Sequence, residues 1–164
     1  MLRKIKEQIR NYQTRFSFGS SAALITNLGL ITGLDSTANA KFSIITSILI
    51  IAIADNISDS FGIHVYQESE HVDRREVWLS TGTNFLARLF VSLVFVLLIA
   101  LLPIGLAVVS SLAFGLFLLA LISYIIAKDE KVSPFLTIVE HLGIALVVIL
   151  LSEFVGKWLL TVFM

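Results

Sequence analysis

Residues 83–127 read TNFLARLFVSLVFVLLIALLPIGLAVVSSLAFGLFLLALISYIIA, a run in which Arg88 is the only charged side chain. A helix crosses the roughly 30 Å of membrane hydrocarbon with about 20 residues, so this run is too long for a single crossing. It predicts a helical hairpin whose turn lies between Pro103 and Ser111, since proline breaks a helix. The stretch therefore indicates a fold that forms in a membrane.

The composition of the whole chain agrees with a membrane protein. Of its 164 residues, 57% are hydrophobic and 15% are charged, which is more apolar than a compact core of this size buries. The 12 Lys and Arg residues equal the 12 Asp and Glu residues, so the chain lacks the basic excess that nucleic-acid binding requires. Cysteine is absent, which excludes disulfides and thiolate metal sites.

The sequence outside residues 83–127 supplies three further apolar stretches. Together they predict an all-α integral membrane protein whose five transmembrane helices make up one domain, residues 18–164. The expected spans are 18–34, 43–64, 83–106, 108–127 and 135–159. The first span carries several hydroxyl and amide side chains and therefore needs protein neighbours. The last span has a clear start signal, because Ser133 precedes Pro134 at the first helical position.

The distribution of positive charge predicts the orientation of the spans, because Lys and Arg collect on the cytoplasmic side. With the N-terminus in the cytoplasm and the C-terminus outside, only Lys41 is plainly external. The cytoplasmic set is Arg3, Lys4, Lys6, Arg10, Arg15, Arg74, Arg75, Lys128 and Lys131. The compact loops favour a prokaryotic cell membrane.

The N-terminal segment has two interpretations. Residues 1–17 are basic and amphipathic, since Leu2, Ile5, Ile9 and Tyr12 share one helical face, and such a helix lies along the inner membrane surface. Alternatively, residues 1–40 are a secretory signal that is cleaved after the small residues 38–40. The polar residues inside the apolar stretch favour the first interpretation.

Ionisable residues inside the predicted spans are the candidate functional groups, because burying a charge in a membrane is costly. Asp59, Arg88, Glu140 and His141 each fall about 8 to 10 Å from the cytoplasmic end of their predicted span. Asp55 lies one turn deeper. The pattern therefore predicts a layer of charge at one depth.

Asp55 and Asp59 are four residues apart and share one face of the second span. Two carboxylates coexist there if a cation lies beside them or if one of them is protonated, and both situations suit a cation or proton pathway. Asn56, Ser58 and Ser60 add oxygen ligands of the kind that divalent cations accept. The predicted metal ligands are Asp55, Asp59, Glu140 and His141. The alternative is that Arg88 neutralises Asp59 or Glu140 and the layer serves packing alone.

Two other charged groups have structural interpretations. Glu153 and Lys157 are four residues apart and are expected to pair with each other. The segment HVYQESEHVDRRE, residues 64–76, contains two histidines and several carboxylates. It is interpreted either as a solvated connector or as a group that collects metal ions from the cytosol. No phosphate-binding loop, HExxH pair or nucleophile motif is present, so we expect neither an enzyme nor a bound cofactor.

Two of the spans resemble those of the vacuolar iron transporter family. GSSAALITNLGLITGL, residues 19–34, is similar to the family's first helix, which reads G-x-S-D-G, then small and apolar residues, then A-G-L. ADNISDSFGIHVYQESE, residues 54–70, is similar to the second helix, which ends A-D-x-x-S-M-x-x-G-E-Y-x-x-x-x-S-E. The matching residues of the second helix are Ala54, Asp55, Ser58, Gly62, Ser69 and Glu70. The third span, which ends in LLPIG, is also similar to the corresponding helix of the family.

The chain also departs from the family at three metal-binding positions, where it has Ala22, Asp59 and Ile63. A short linker at residues 67–81 replaces the long cytoplasmic helices of some members. The resemblance implies the five-helix fold and a homodimer in which paired first helices line the pathway. It also implies transport of a divalent cation such as Fe²⁺ or Mn²⁺ out of the cytosol in exchange for protons. The alternative function is a membrane scaffold or assembly protein that keeps this fold without transporting.

Overall fold

The structure is a computed structural model that describes the backbone of residues 2–163 and the side chains of residues 17–163. Within residues 2–163 there are five helices and no strand: α1 (Leu2–Leu34), α2 (Ala40–Ser69), α3 (Arg74–Leu101), α4 (Ile104–Glu130) and α5 (Pro134–Phe163). Each contains a segment long and apolar enough to cross a membrane, in α1 the segment Ser17–Leu34. The prediction of an all-helical chain is confirmed, and the side of the membrane that each end faces stays a prediction.

The turn of the central hairpin lies at residues 102–103, at the start of the range from Pro103 to Ser111 in which it was expected. Helix α3 ends at Leu101 rather than at residue 106, and α4 begins at Ile104 rather than at 108. Leu102 is extended, with φ −101° and ψ 154°, and Pro103 is the N-cap of α4. The proline ring disfavours the helical conformation for the residue before it, and the helix ends before the extended Leu102.

The expected linker at residues 67–81 is mostly helical. Helix α2 continues to Ser69 and α3 begins at Arg74, which leaves only residues 70–73 between them. The carboxylate of Asp73 caps α3 by accepting a hydrogen bond from the backbone N–H of Arg75 at 2.9 Å. The charged residues of this segment extend both helices beyond their apolar parts, which is why hydropathy alone placed the end of α2 too early and the start of α3 too late.

Helix α1 runs without interruption from Leu2 to Leu34, so no break separates the basic leader from the first span. The leader's predicted apolar face, formed by Leu2, Ile5, Ile9 and Tyr12, lies outside the described side chains. Its placement on a membrane surface stays a prediction.

Helix α1 lies at the centre of the bundle. It packs against each of the other four helices, and its span is more buried than any of theirs. The polar side chains of its span pack against other helices, as we expected for polar residues in a membrane span. Asn27 is buried and donates hydrogen bonds to the carbonyl of Ala23 at 2.7 Å and to Ser92 Oγ of α3 at 3.1 Å.

Small residues let α1 and α5 approach closely. Gly29 and Gly33 of α1 face Ser152 and Gly156 of α5, and each pair is four residues apart, so both pairs lie on one face of their helix. A Cβ atom added at Gly156 would overlap the carbonyl oxygen of Gly33. The backbones therefore touch at this crossing, which is a common way for membrane helices to associate.

Helix α2 stands at the edge of the bundle, where it packs mainly against α3. It buries a stripe of residues spaced four apart: Ile44, Ile48, Ala52, Asn56, Ser60 and His64. The opposite face is exposed and includes Ile53, Ile57 and Phe61. Near the middle of this helix, Asn56 lies on the buried face, and Asp55 and Asp59 are partly exposed beside it. These three residues belong to the candidate site.

Candidate functional site

The guanidinium of Arg88 lies between α3 and α2 and binds both carboxylates of α2. Its Nη2 donates to Asp55 Oδ2 at 2.6 Å, and its Nη1 donates to Asp59 Oδ2 at 3.1 Å. The third nitrogen, Nε, donates to Asn56 Oδ1 at 2.8 Å. Arg88 is only 3% exposed. We call Asp55, Asp59 and Arg88 the Asp–Arg cluster.

Two amides fix the geometry of the cluster. Asn84 Nδ2 donates to Asp59 Oδ2 at 3.2 Å and to Ser60 Oγ at 3.0 Å. Asn56 Nδ2 donates to the carbonyl of Ala52 at 2.9 Å, which turns its own oxygen towards Arg88. Because Asp59 accepts from two donors and Arg88 is bonded through all three nitrogens, the resting cluster is well ordered.

The sequence did not identify Asn84, although a signal for it exists. Ser80, Asn84, Arg88 and Ser92 recur at intervals of four along α3, and all four are buried. This spacing places them on one helical face. A buried polar stripe centred on an arginine indicates that its neighbours serve as hydrogen-bond partners.

The expected depths were measured from the ends of the predicted spans, and the cluster lies further from the ends of the observed helices. Asp55 and Arg88 stand near the midpoints of α2 and α3, about 21 Å from either end at 1.5 Å per residue. Asp59 is about 15 Å from the end of α2 at Ser69. The difference arises because α2 and α3 extend past the apolar segments from which the spans were predicted.

Charge and exposure are unequal within the cluster. The side chain of Asp55 is 50% exposed and that of Asp59 is 37% exposed, whereas that of Arg88 is 4% exposed. Two carboxylates face one guanidinium, so the ionised cluster carries one negative charge in excess. Ser58 is also exposed on α2 beside them. The outer face of α2 therefore presents carboxylate oxygens at the middle of the helix.

Glu140 and His141 do not join the Asp–Arg cluster. They line a separate cavity of about 640 Å³, formed by α1, α5 and the end of α4, and His141 Nδ1 lies 2.8 Å from Ser123 Oγ of α4. Arg88 contacts Asp59 and Asp55 but not Glu140. Among the described residues no three His, Asp or Glu side chains form a group that could hold a metal ion.

The four predicted metal ligands fall into two separate pairs in the structure, and whether either pair binds a metal ion stays a prediction. Asp55 and Asp59 belong to α2, which packs mainly on α3, whereas Glu140 and His141 belong to α5, which packs on α1 and α4. A similar position along different helices does not make residues neighbours, because the packing around α1 decides which faces meet.

His64 and the Glu153–Lys157 pair have local partners. His64 Nδ1 lies 3.0 Å from Thr81 Oγ1, and its Nε2 lies 3.4 Å from Glu68 Oε1 one turn along α2. Glu153 and Lys157 form the ion pair that their spacing predicts, with Nζ 2.5 Å from Oε1. His64 and Glu68 thus lie on a helix rather than in a connector.

Comparison with protein-family models, with curated proteins and with solved structures finds no match for this chain. The likeness to vacuolar iron transporters therefore rests on the sequence stretches quoted above, and the function is argued from the residues themselves.

Proposed function

We propose that the chain is a membrane transporter that moves divalent cations of the Fe²⁺ and Mn²⁺ type in exchange for protons, with the Asp–Arg cluster as its ion-handling group. One observation carries the proposal: two carboxylates sit at mid-helix, partly exposed, with only one guanidinium to balance them. Ionisable groups at such positions in membrane helices commonly mark ion pathways. The resemblance in α1 and α2 points to the same class of substrate.

The chemistry of the cluster suits exchange of a cation for protons. Asp55 and Asp59 offer oxygen ligands, which hard and borderline divalent cations accept. Arg88 holds both carboxylates in the resting state, so an arriving cation competes with the guanidinium for them. Because both carboxylates are partly exposed, we expect a cation or a proton to reach them from the outer face of α2. Binding and release there need no opening of the buried side of the cluster.

The same exposure supports a homodimer. A half-exposed carboxylate at mid-helix is costly against lipid, so a polar neighbour must cover it. Helix α2 stands at the edge of the bundle, and Asp55 and Ser58 lie on its exposed face near the middle of the helix. We therefore place the dimer contact at α2 rather than at paired first helices, with the Asp–Arg clusters of two copies facing each other across it.

A cysteine placed at Ser58 is expected to form a disulfide between two copies under mild oxidation in membranes. Ser58 is exposed on α2 beside the cluster, and the chain has no other cysteine that could react. The matched control is Phe117→Cys, at an exposed position in the middle of α4. Cross-linking of Ser58→Cys but not of Phe117→Cys supports the α2 contact, and the reverse pattern places the contact elsewhere.

In proteoliposomes with an imposed proton gradient, the wild-type protein is expected to move Mn²⁺, and Asp55→Asn and Asp59→Asn are each expected to abolish this flux. Asparagine keeps the size of aspartate and its capacity to accept a hydrogen bond, while Arg88 keeps the other carboxylate as a partner. Each variant should therefore fold, which its yield and melting temperature check. The flux assay then reports the loss of the charge alone.

The matched control for this experiment is Glu153→Gln. It removes a carboxylate that pairs with Lys157 near the end of α5, away from the Asp–Arg cluster, so we expect it to transport as the wild type does. If both Asp variants transport like the wild type, the cluster is not the ion-handling group. If the wild type moves neither Mn²⁺ nor Fe²⁺, the proposal that the chain transports divalent cations is wrong.

A scaffold or assembly role is the second candidate function, and one observation favours it. All three nitrogens of Arg88 are bonded within the protein, so the cluster is satisfied without any bound ion. Buried ionic groups of this kind can serve the specificity of helix packing. Under this function the flux experiment gives no transport, while the Ser58→Cys cross-link still forms.

A further inference from the structure

A groove of about 500 Å³ lies between α2 and α3, and neither carboxylate of the Asp–Arg cluster lines it. The groove is open on one side, since Ile57, Phe61 and Trp78 are each more than half exposed. In a membrane such an open apolar groove faces the hydrocarbon of lipids, so a hydrocarbon chain is its natural occupant. Its walls are mainly apolar and aromatic groups of both helices: Ile57, Phe61, His64, Trp78, Gly82 and Phe85.

Aromatic contacts shape this groove, and a glycine keeps it open. The ring of Trp78 meets the ring of His64 edge-on, with 4.6 Å between their centroids, and Phe61 stacks on His64 at 6.2 Å. One turn along α3 from Trp78, a Cβ atom added at Gly82 would meet nothing within 4 Å. The missing side chain at Gly82 therefore leaves room for a chain beside the aromatic wall.

Charged side chains flank the end of the groove that lies towards the loop between α2 and α3. His64 contacts Trp78, so the two residues mark one level of these antiparallel helices. About 6 Å further towards the loop, at 1.5 Å per residue, are Glu68 on α2 and the pair Arg74 and Arg75 on α3. Spacings of three and four residues place all three charges on the groove side of their helices. Two guanidiniums and one carboxylate thus stand at the same end of the groove.

These three charges are available to a ligand. All three residues are exposed, and within residues 17–163 neither arginine side chain forms an ion pair or a hydrogen bond. Glu68 Oε1 lies 3.4 Å from Nε2 of His64, and the side chain of Glu68 is 58% exposed. The carboxylate of Asp73 is used to cap α3, and Glu76 lies two residues from Trp78, on another face of α3.

We infer that this groove binds an aminophospholipid, with its phosphodiester at Arg74 and Arg75, its ammonium at Glu68 and one acyl chain along Trp78 and Gly82. Guanidinium groups bind phosphate oxygens through paired hydrogen bonds. A primary ammonium donates hydrogen bonds to a carboxylate, whereas the trimethylammonium of a choline lipid has no proton to donate. A purely anionic headgroup would bring its negative charge to Glu68 with nothing to balance it. The site is independent of the transport proposed above.

The test follows the fluorescence of Trp78 while lipids with brominated acyl chains are added to the full-length protein in detergent, because bromine quenches tryptophan on contact. The chain has two tryptophans, so Trp158→Phe leaves Trp78 as the only reporter. Brominated phosphatidylethanolamine is expected to quench Trp78 at about threefold lower mole fraction than brominated phosphatidylcholine, the effect of one exposed charge pair. Glu68→Gln is expected to remove this preference.

Two further changes in the Trp158→Phe protein test the phosphate and chain contacts. The double variant Arg74→Gln, Arg75→Gln is expected to weaken binding of both lipids by about fivefold for each arginine. Gly82→Leu fills the groove with a side chain that meets no neighbour at its Cβ, so it should fold and lose most of the quenching.

Matched controls separate this site from general contact with lipid. Lys128→Gln, Lys131→Gln removes two basic residues at the end of α4 and should leave quenching of Trp78 unchanged. Trp78→Phe keeps only Trp158, near the end of α5, which should be quenched equally by both lipids. Melting temperatures show that each variant is folded. Equal quenching of Trp78 by the two lipids, stronger quenching by brominated phosphatidylglycerol, or unchanged quenching in the double arginine variant overturns the inference.

Discussion

Arg88→Leu is expected to lower the melting temperature of the detergent-purified protein more than any other single substitution in the Asp–Arg cluster. The guanidinium is buried and holds Asp55 and Asp59 together, so its loss leaves two carboxylates with no opposite charge between them. Removing one partner from a buried ion pair costs about 3 to 5 kcal/mol. Because both carboxylates are partly exposed, we expect a value near the lower end of that range. Thermal unfolding followed by tryptophan fluorescence measures the change.

Two further variants test whether the unpaired carboxylates cause this loss of stability. Asp55→Asn alone should cost much less than Arg88→Leu, since Arg88 keeps Asp59 and Asn56 as partners. The triple variant Asp55→Asn, Asp59→Asn, Arg88→Met removes every charge at similar side-chain volume and should recover most of the stability. If the triple variant melts as low as Arg88→Leu, the loss reflects packing around the arginine and the electrostatic account is wrong.

The composition and apolar runs of the sequence were sufficient to predict the number and type of the helices. Every span needs about 20 apolar residues in a row, and this requirement is local in sequence. The helix ends were harder to predict, because a helix does not stop where its apolar part stops. Arg74 and Ser69 belong to α3 and α2 although they lie outside any span predicted from hydropathy. The covalent geometry of Pro103 sets a boundary by itself, but the span expected over residues 83–106 ran past it.

The candidate site was predictable only in part, for a related reason. The four-residue spacing of Asp55 and Asp59 placed both carboxylates on one face, and the structure brings both to Arg88. Glu140 and His141 lie apart from this cluster, because similar distances from helix ends say nothing about which faces meet. That choice depends on long-range packing around α1, which a single sequence does not encode in any local pattern.

The close crossing of α1 and α5 shows how such long-range packing is specified by small residues. Gly33 and Gly156 meet with no room for a side chain, so these two glycines fix the position of α5 on α1. The position of α5 in turn places Glu140 and His141 against α1 and α4 rather than beside α3. The spacing of Gly29 and Gly33, four residues apart, is visible in the sequence, but its partner helix is not.

Gly156→Ala is accordingly expected to destabilise the protein by about 1 to 3 kcal/mol, the usual cost of overpacking a tight contact. The added Cβ meets the backbone of Gly33, which cannot rotate away as a flexible side chain could, so the two helices must separate. Gly143→Ala on the same helix is the matched control, because a Cβ there meets nothing within 4 Å. That variant should be neutral or stabilised by up to about 1 kcal/mol, since alanine favours a helix over glycine. Equal melting temperatures for the two variants would contradict a backbone contact at Gly156.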